Sequence, residues 1–286
     1  MNYLGQVAVD TAHHVITGAM ADFADKRDSQ CLQNIVEQTS DNLLSNDIQI
    51  EQIIADTGYS SGESLQYCEK KNLDAYIPNF GQYKTEREGF IYNEELDRYE
   101  CQRGNRAILP FKSIRNRDDG YHTKQYRSSE SVCKNCPLRK ECCGEKTKFK
   151  KLSHSIHKEY YDRMHRKLTE NKVYAQRMSR LRSATVEPVL GTLINFLNMK
   201  RVNTRGIELA NKHVLMASLT YNLKKYMKFI RRTTIAKTIA MPIIAKTTFS
   251  TPFSAFLLPF RLFFANCSHL LSPSEIPKQK IIAHVE

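Results

Sequence analysis

Residues 48–59 read IQIEQIIADTGY. The isoleucine-rich run Ile48–Ala55 has the length of a strand, and Thr57-Gly58 breaks it just after Asp56. It predicts a buried strand carrying a carboxylate at its carboxyl end. In α/β proteins the crevice beyond the carboxyl ends of the strands is where chemistry is placed. A hard carboxylate there suits Mg²⁺. The plain alternative is an aspartate that caps the next helix or tightens a turn with Gly58.

Upstream, residues 4–10 (LGQVAVD) and 13–19 (HHVITGA) form two β-rich runs that read as a hairpin. Asp28 or Ser29 then caps a helix through Cys31, Leu32, Ile35 and Val36. Downstream, Ser60–Lys71 is helical and Leu73–Ile77 is a strand closed by Pro78. The order β-β-α-β-α-β predicts an α/β sheet. Residues 84–153 break this rhythm, being rich in Tyr, Arg, Lys and Cys, and read as an inserted subdomain. Residues 156–183 are helical again. Glu187–Asn198 reads as a separate short helix with Pro188 in its first turn, where Glu187 complements the helix dipole. Ile207–Ile230 is a long amphipathic helix whose stripe of Leu209, Leu215, Met216, Leu219, Leu223 and Met227 is expected to face the core. After Arg232 an apolar stretch is interrupted by Pro242, Pro252 and Pro259, which reads as a variable, weakly folded tail. The expected divisions are 1–83, 84–153, 154–232 and 233–286.

The 286 residues carry a net charge of +13, unevenly distributed. Residues 1–133 hold 14 basic and 21 acidic groups, residues 134–182 hold 15 and 5, and residues 183–232 hold 9 and 2. An acidic first half meeting a basic middle is the footprint of a polyanion partner, DNA above all. The residues expected to contact phosphates are Lys148, Lys150, Lys151, Arg163, Arg166, Arg177, Arg180 and Arg182. No run reaches the ~18 apolar residues of a membrane span, and MNYLGQVAVD lacks the pattern of a signal peptide. A cytoplasmic, nucleoid-associated protein without a membrane partner is expected.

Of eight cysteines, Cys31, Cys68 and Cys267 stand alone and read as ordinary buried residues. Cys101, the Cys133-x2-Cys136 pair and Cys142-Cys143 have metal-like spacing. Cys101, Cys133, Cys136 and Cys142 are expected to hold a structural Zn²⁺.

ADTGYSSGE at 55–63, the Cys-rich insertion, VEPVLGTLINFLNMKRVNTRG at 186–206 and ANKHVLMASLTYNLKKYMKF at 210–229 together resemble the DDE-type insertion-sequence transposases, whose core is ribonuclease-H-like. The resemblance covers roughly residues 1–230. It implies a ribonuclease-H-like α/β core with a zinc-ribbon-like insertion and C-terminal helices. It also implies metal-dependent cleavage and strand transfer on DNA bearing the ends of a bacterial insertion sequence, with Mg²⁺ or Mn²⁺ held by three acids. Asp56 matches the second acid and Glu187 the third, both as catalytic and metal-binding residues. The family's first acid lies on a strand before the region matching Tyr3–Asp10, and that strand is expected to be absent. Asp10 is the nearest substitute. Where the family places a tyrosine and an arginine seven and four residues before the glutamate, this chain has Arg180 and Ser183, with Arg182 one residue out of register. Ile194 stands where a basic residue is common. These departures predict a truncated, inactive copy, and a homodimer is a further expectation. The alternative is a non-enzymatic, zinc-containing module that binds DNA or a transposase.

Overall fold

A computed structural model describes residues 2–81, 83–117, 121–240 and 278–285, with side chains described only up to residue 232. Two five-stranded sheets organise the described residues. The first has strand order β2 (Ile16–Phe23), β1 (Tyr3–Asp10), β10 (Lys278–Val285), β3 (Gln49–Ile54), β4 (Asp74–Tyr76). β1 is antiparallel to both of its neighbours, β2 and β10; β10, β3 and β4 are parallel. The register runs Ala19↔Val7, Val9↔Ile282, Ile282↔Ile54 and Ile53↔Ala75.

Side chains alternate across a strand, so each central strand must be apolar on both faces if both are covered. β1 and β3 meet this demand. Val7, Val9 and Ile54 join one buried cluster, with Val186, Val189, Leu190, Leu193, Ala210, Val214 and Tyr221. Ala8 and Ile53 join the opposite one, with Leu32, Ile35, Val36, Tyr59, Leu65 and Ile77. The second cluster is covered by α1 (Asp28–Leu44) and α2 (Gly62–Lys70). α1 approaches β2 closely because residue 18 is glycine: a Cβ there would lie 2.1 Å from Thr39 Oγ1. The cap residue of α1 is Arg27, where Asp28 or Ser29 was expected.

The first cluster is covered by α6 (Lys172–Phe196) and α7 (Ile207–Ala240). Here the expectation of a separate helix beginning at Glu187 is corrected: α6 runs unbroken through Pro188. An interior proline costs about 3 kcal/mol. Val186, Val189, Leu190 and Leu193 are all buried on one face, and each such side chain contributes about 1.5–3 kcal/mol, so continuity prevails. α7 brings a second correction. Leu209, Leu215, Met216, Leu219, Leu223 and Met227 are 42–62% exposed, whereas Ala210, Val214, Ala217 and Tyr221 are buried. The small residues let α7 lie close to β1 and β2, and its polar side chains guard the sheet edge. Asn222 Oδ1 accepts from Ile16 N at 3.0 Å, its Nδ2 donates to Ile16 O at 2.8 Å, and Asn211 Oδ1 accepts from Ala21 N at 3.0 Å. Such pairing satisfies backbone groups that an edge strand leaves open.

Residues 233–240 extend α7, and 278–285, expected within a weakly folded tail, form β10 between β1 and β3. Cys267 and the three tail prolines lie outside the described residues.

The second sheet is antiparallel, in the order β5 (Phe90–Asn93), β6 (Arg98–Cys101), β7 (Ile108–Arg115), β8 (Thr123–Arg127), β9 (Lys151–Ser155). Two short helices, α3 (Glu130–Lys134) and α4 (Arg139–Cys143), lie between β8 and β9. α5 (Lys158–Glu170) follows. Its interior is built on tyrosines: Tyr99 and Tyr126 are fully buried, and both hydroxyls bond His154, at 2.8 and 3.2 Å. Tyr92 and Tyr126 also donate to Asp97, each at 2.6 Å.

Burial, then Lys158 and Lys124, push His154 down to about 4. The unfolded chain therefore binds a proton between pH 6.5 and 4 that the folded sheet resists, so stability is full above pH 6.5 and declines as pH falls toward 4. NMR titration of the His154 ring should give its midpoint near pH 4, and the melting temperature should fall across that window. Deleting 278–286 should leave β1 and β3 without their shared neighbour. Hydrogen exchange at Val9, Asp10, Ile53 and Ile54 should then accelerate strongly while Tyr99 and Tyr126 remain protected.

Candidate active site

β3 delivers Asp56 to the carboxyl end of the sheet, where its side chain caps a short 3-10 turn, Thr57–Tyr59. Asp56 Oδ1 accepts from Thr57 Oγ1 at 2.8 Å and Gly58 N at 3.0 Å. Oδ2 faces Arg182 Nη1 at 3.7 Å. Both expected roles, capping and a place in the crevice, thus coincide in one residue. Ile54, Thr57, Tyr76, Met178 and Ser179 join Asp56 and Arg182 around a cavity of about 230 Å³.

Arg182 comes from α6, packed over the same sheet. Five residues on, Glu187 stands about 140° further round the helix and is exposed. The charged group that α6 turns toward Asp56 is a guanidinium. Asp10 is placed elsewhere. It is level with Ile281 and Ile53, three residues before Asp56, or about 10 Å along the strands. Its buried carboxylate accepts from Ala12 N and His13 N and closes the hairpin turn.

One carboxylate missed as a site residue is Asp28. It opens α1 beside Gly58, where an added Cβ would lie 2.6 Å from Asp28 Oδ2. Burial and then the charge of Asp56 raise its pKa. Nearby, Tyr59 is raised well above the usual phenol range, by burial first and then by Asp28, Cys31 and Asp56. The glycine in the ADTGY stretch was the available signal, because it admits an approaching side chain.

Among the described residues, no three or more His, Cys, Asp or Glu groups come close enough together to hold a metal ion. Among the described residues, Asp56 and Glu187 therefore do not belong to a converging divalent-cation set. The zinc expectation meets the same finding. Cys101, Cys133, Cys136, Cys142 and Cys143 line one small cavity of about 20 Å³. Two of the thiols take other partners: Cys133 Sγ lies 3.0 Å from Ser128 Oγ, and Cys101 Sγ 2.9 Å from Arg103 O. Burial, then the charge of Cys142, raise Cys143 to about 11.

The expected phosphate-binding residues occupy varied surroundings. Lys148, Lys151, Arg166, Arg177 and Arg180 are exposed. Arg163 pairs with Glu69 at 2.9 Å and Glu159 at 3.3 Å. Lys150 Nζ donates to Cys142 O at 2.6 Å.

Residues 100–227 match the family model described as the transposase DDE domain. Over these residues the chain is similar to DDE-type transposases. The matched stretch holds the five clustered cysteines, the basic middle and Glu187, and Asp56 lies upstream of it. No curated protein and no solved structure matches the chain.

The raised pKa of Asp28 means its ionisation opposes folding. The folded state holds the proton more tightly, so stability declines as pH rises above the ordinary value of 3.8. Asp28→Asn should melt a few degrees higher than the wild type at pH 7 and at nearly the same temperature at pH 3.

Proposed function

We propose that this transposase domain acts on DNA, with a ribonuclease-H-like core, and that the chain by itself does not carry out strand transfer. The match over residues 100–227 carries the first part. The sheet supports the core assignment: three antiparallel strands continue into two parallel ones, with helices on both faces. The place between the hairpin and the strand leading to Asp56, where such a core has its first strand, is taken by β10.

The second part rests on which residues occupy that place. Phosphodiester transfer in two-metal sites needs several convergent carboxylates. β10 reads KQKIIAHV and has none. Two positions beyond the pair Ile282↔Ile54, the strand carries His284 at the level of Asp56. With Arg182 turned toward Asp56 and Glu187 turned outward, the acidic set lacks its full complement. Loss of metal ligation at such a centre costs orders of magnitude in rate, each tenfold being about 1.4 kcal/mol of barrier.

DNA affinity should fall steeply and log-linearly with salt, by counterion release; a flat dependence would contradict the DNA reading. On supercoiled plasmid in Mg²⁺ or Mn²⁺, nicking by the wild type should not exceed that of the Asp56→Ala, Glu187→Ala double variant. Robust nicking that this variant abolishes would overturn the proposed inactivity.

A further inference from the structure

A cavity of about 1190 Å³ opens between the two sheets, lined on one side by the start of α1 and Thr57-Gly58 and on the other by β8 and β9. Its volume is at or above the upper end of the ~300–1,000 Å³ typical of small-molecule sites. Among the described lining residues its charge is one-sided. Arg27, Lys84, Arg87, Arg115, Arg117 and Lys158 line it, against Asp28 as the one carboxylate among the described lining residues. Lys158 is paired with Asp162. Lys84, Arg115 and Arg117 are exposed and have no ion pair with any described residue. These three cations, without an acidic partner among the described residues, repel one another, and a polyanion relieves that repulsion.

The same cavity displays aromatic faces. Phe80 is 80% exposed and Tyr121 38% exposed, and both line it. An exposed phenyl ring beside a row of cations has no role in the core. Stacking on such a ring requires a base whose own face is open, which duplex DNA conceals within its stack and an unpaired strand presents.

We propose that this cleft binds an unpaired stretch of DNA, with Arg27, Lys84, Arg87, Arg115 and Arg117 on its phosphates and Phe80 and Tyr121 against its bases. The assignment rests on the DNA reading above and places the contacts on residues distinct from the basic block at 148–182. The strand would pass directly over Thr57 and Gly58, beside the Asp28–Asp56 pair. Stacking contributes sequence-tolerant affinity and the guanidinium row contributes salt dependence.

The test is fluorescence anisotropy of the full chain with labelled oligothymidylate of about 15 nucleotides, a length within the range spanned by single-strand binding folds, beside a duplex and an oligouridylate of equal length. Combined Arg115→Ala and Arg117→Ala should weaken oligothymidylate binding about tenfold. Phe80→Ala should weaken it about fivefold or more, and Phe80→Tyr should restore it. Duplex affinity should change less than about twofold in each variant. Phe80, Arg115 and Arg117 are solvent-facing, and circular dichroism would verify that folding is retained. If oligothymidylate affinity is unchanged in these variants while the wild type binds DNA, the cleft assignment fails and the DNA reading stands. Equal weakening of duplex and single strand makes the cleft a duplex surface and overturns the proposal. Tighter binding of oligouridylate than of oligothymidylate assigns the cleft to RNA and overturns it too. A wild type that binds neither form of DNA sinks both readings.

Discussion

Val186, Val189, Leu190 and Leu193 pack against Val7, Val9 and Ile54, and much of the molecule follows from that contact. It holds α6 straight through Pro188 because several buried aliphatic side chains outweigh one lost backbone bond. A continuous helix has a set rotation, so placing Val186 and Val189 on the sheet also decides where Arg182 and Glu187 go. Arg182 is brought to Asp56, and Glu187 is carried away from it into solvent. The electrostatics of the candidate site are therefore a consequence of core packing in the helix above it.

The carboxyl end of the first sheet gathers charges of both signs around Thr57 and Gly58. Asp28 and Asp56 approach each other because residue 58 has no side chain to separate them. Arg182 offsets part of that repulsion on one side. On the other, the cavity toward the second sheet is lined by cations and open aromatic rings. Acidic groups at the strand ends beside a basic, ring-lined cleft form an arrangement suited to holding a phosphodiester strand next to carboxylates. Whether chemistry follows depends on how many carboxylates converge, and β10 contributes none.

The second sheet is stabilised differently from the first. Its core is small and rich in hydroxyls, and it depends on every one of them finding a partner. Asp97 shows the balance: burial works against its ionisation, but bonds from Tyr126, Tyr92 and Lys124 outweigh that and lower its pKa. His154 is held neutral in the same network. In sequence this region reads as polar and irregular because its buried residues are tyrosines rather than aliphatics. The period-2 strand signal is correspondingly weak, and five strands are present where the sequence marked out an inserted subdomain without resolving its elements.

The local sequence by itself determined the hairpin, the strand that ends at Asp56, the helices on either side of it and the basic middle, because strand periodicity, turn residues and charge are properties of neighbouring positions. The match of Asp56 to a turn-capping carboxylate was readable for the same reason. Tertiary structure decided the rest. Most large apolar residues of α7 face outward because the helix turns Ala210, Val214, Ala217 and Tyr221 toward β1 and β2. Residues 278–285 enter the sheet between β1 and β3, a pairing between segments more than two hundred residues apart that no local pattern encodes. Asp28 becomes the neighbour of Asp56, and Arg182 its counter-ion, through the rotation and approach of α1 and α6. Those depend on the shape of the whole core and are set only when both faces of the sheet are covered at once.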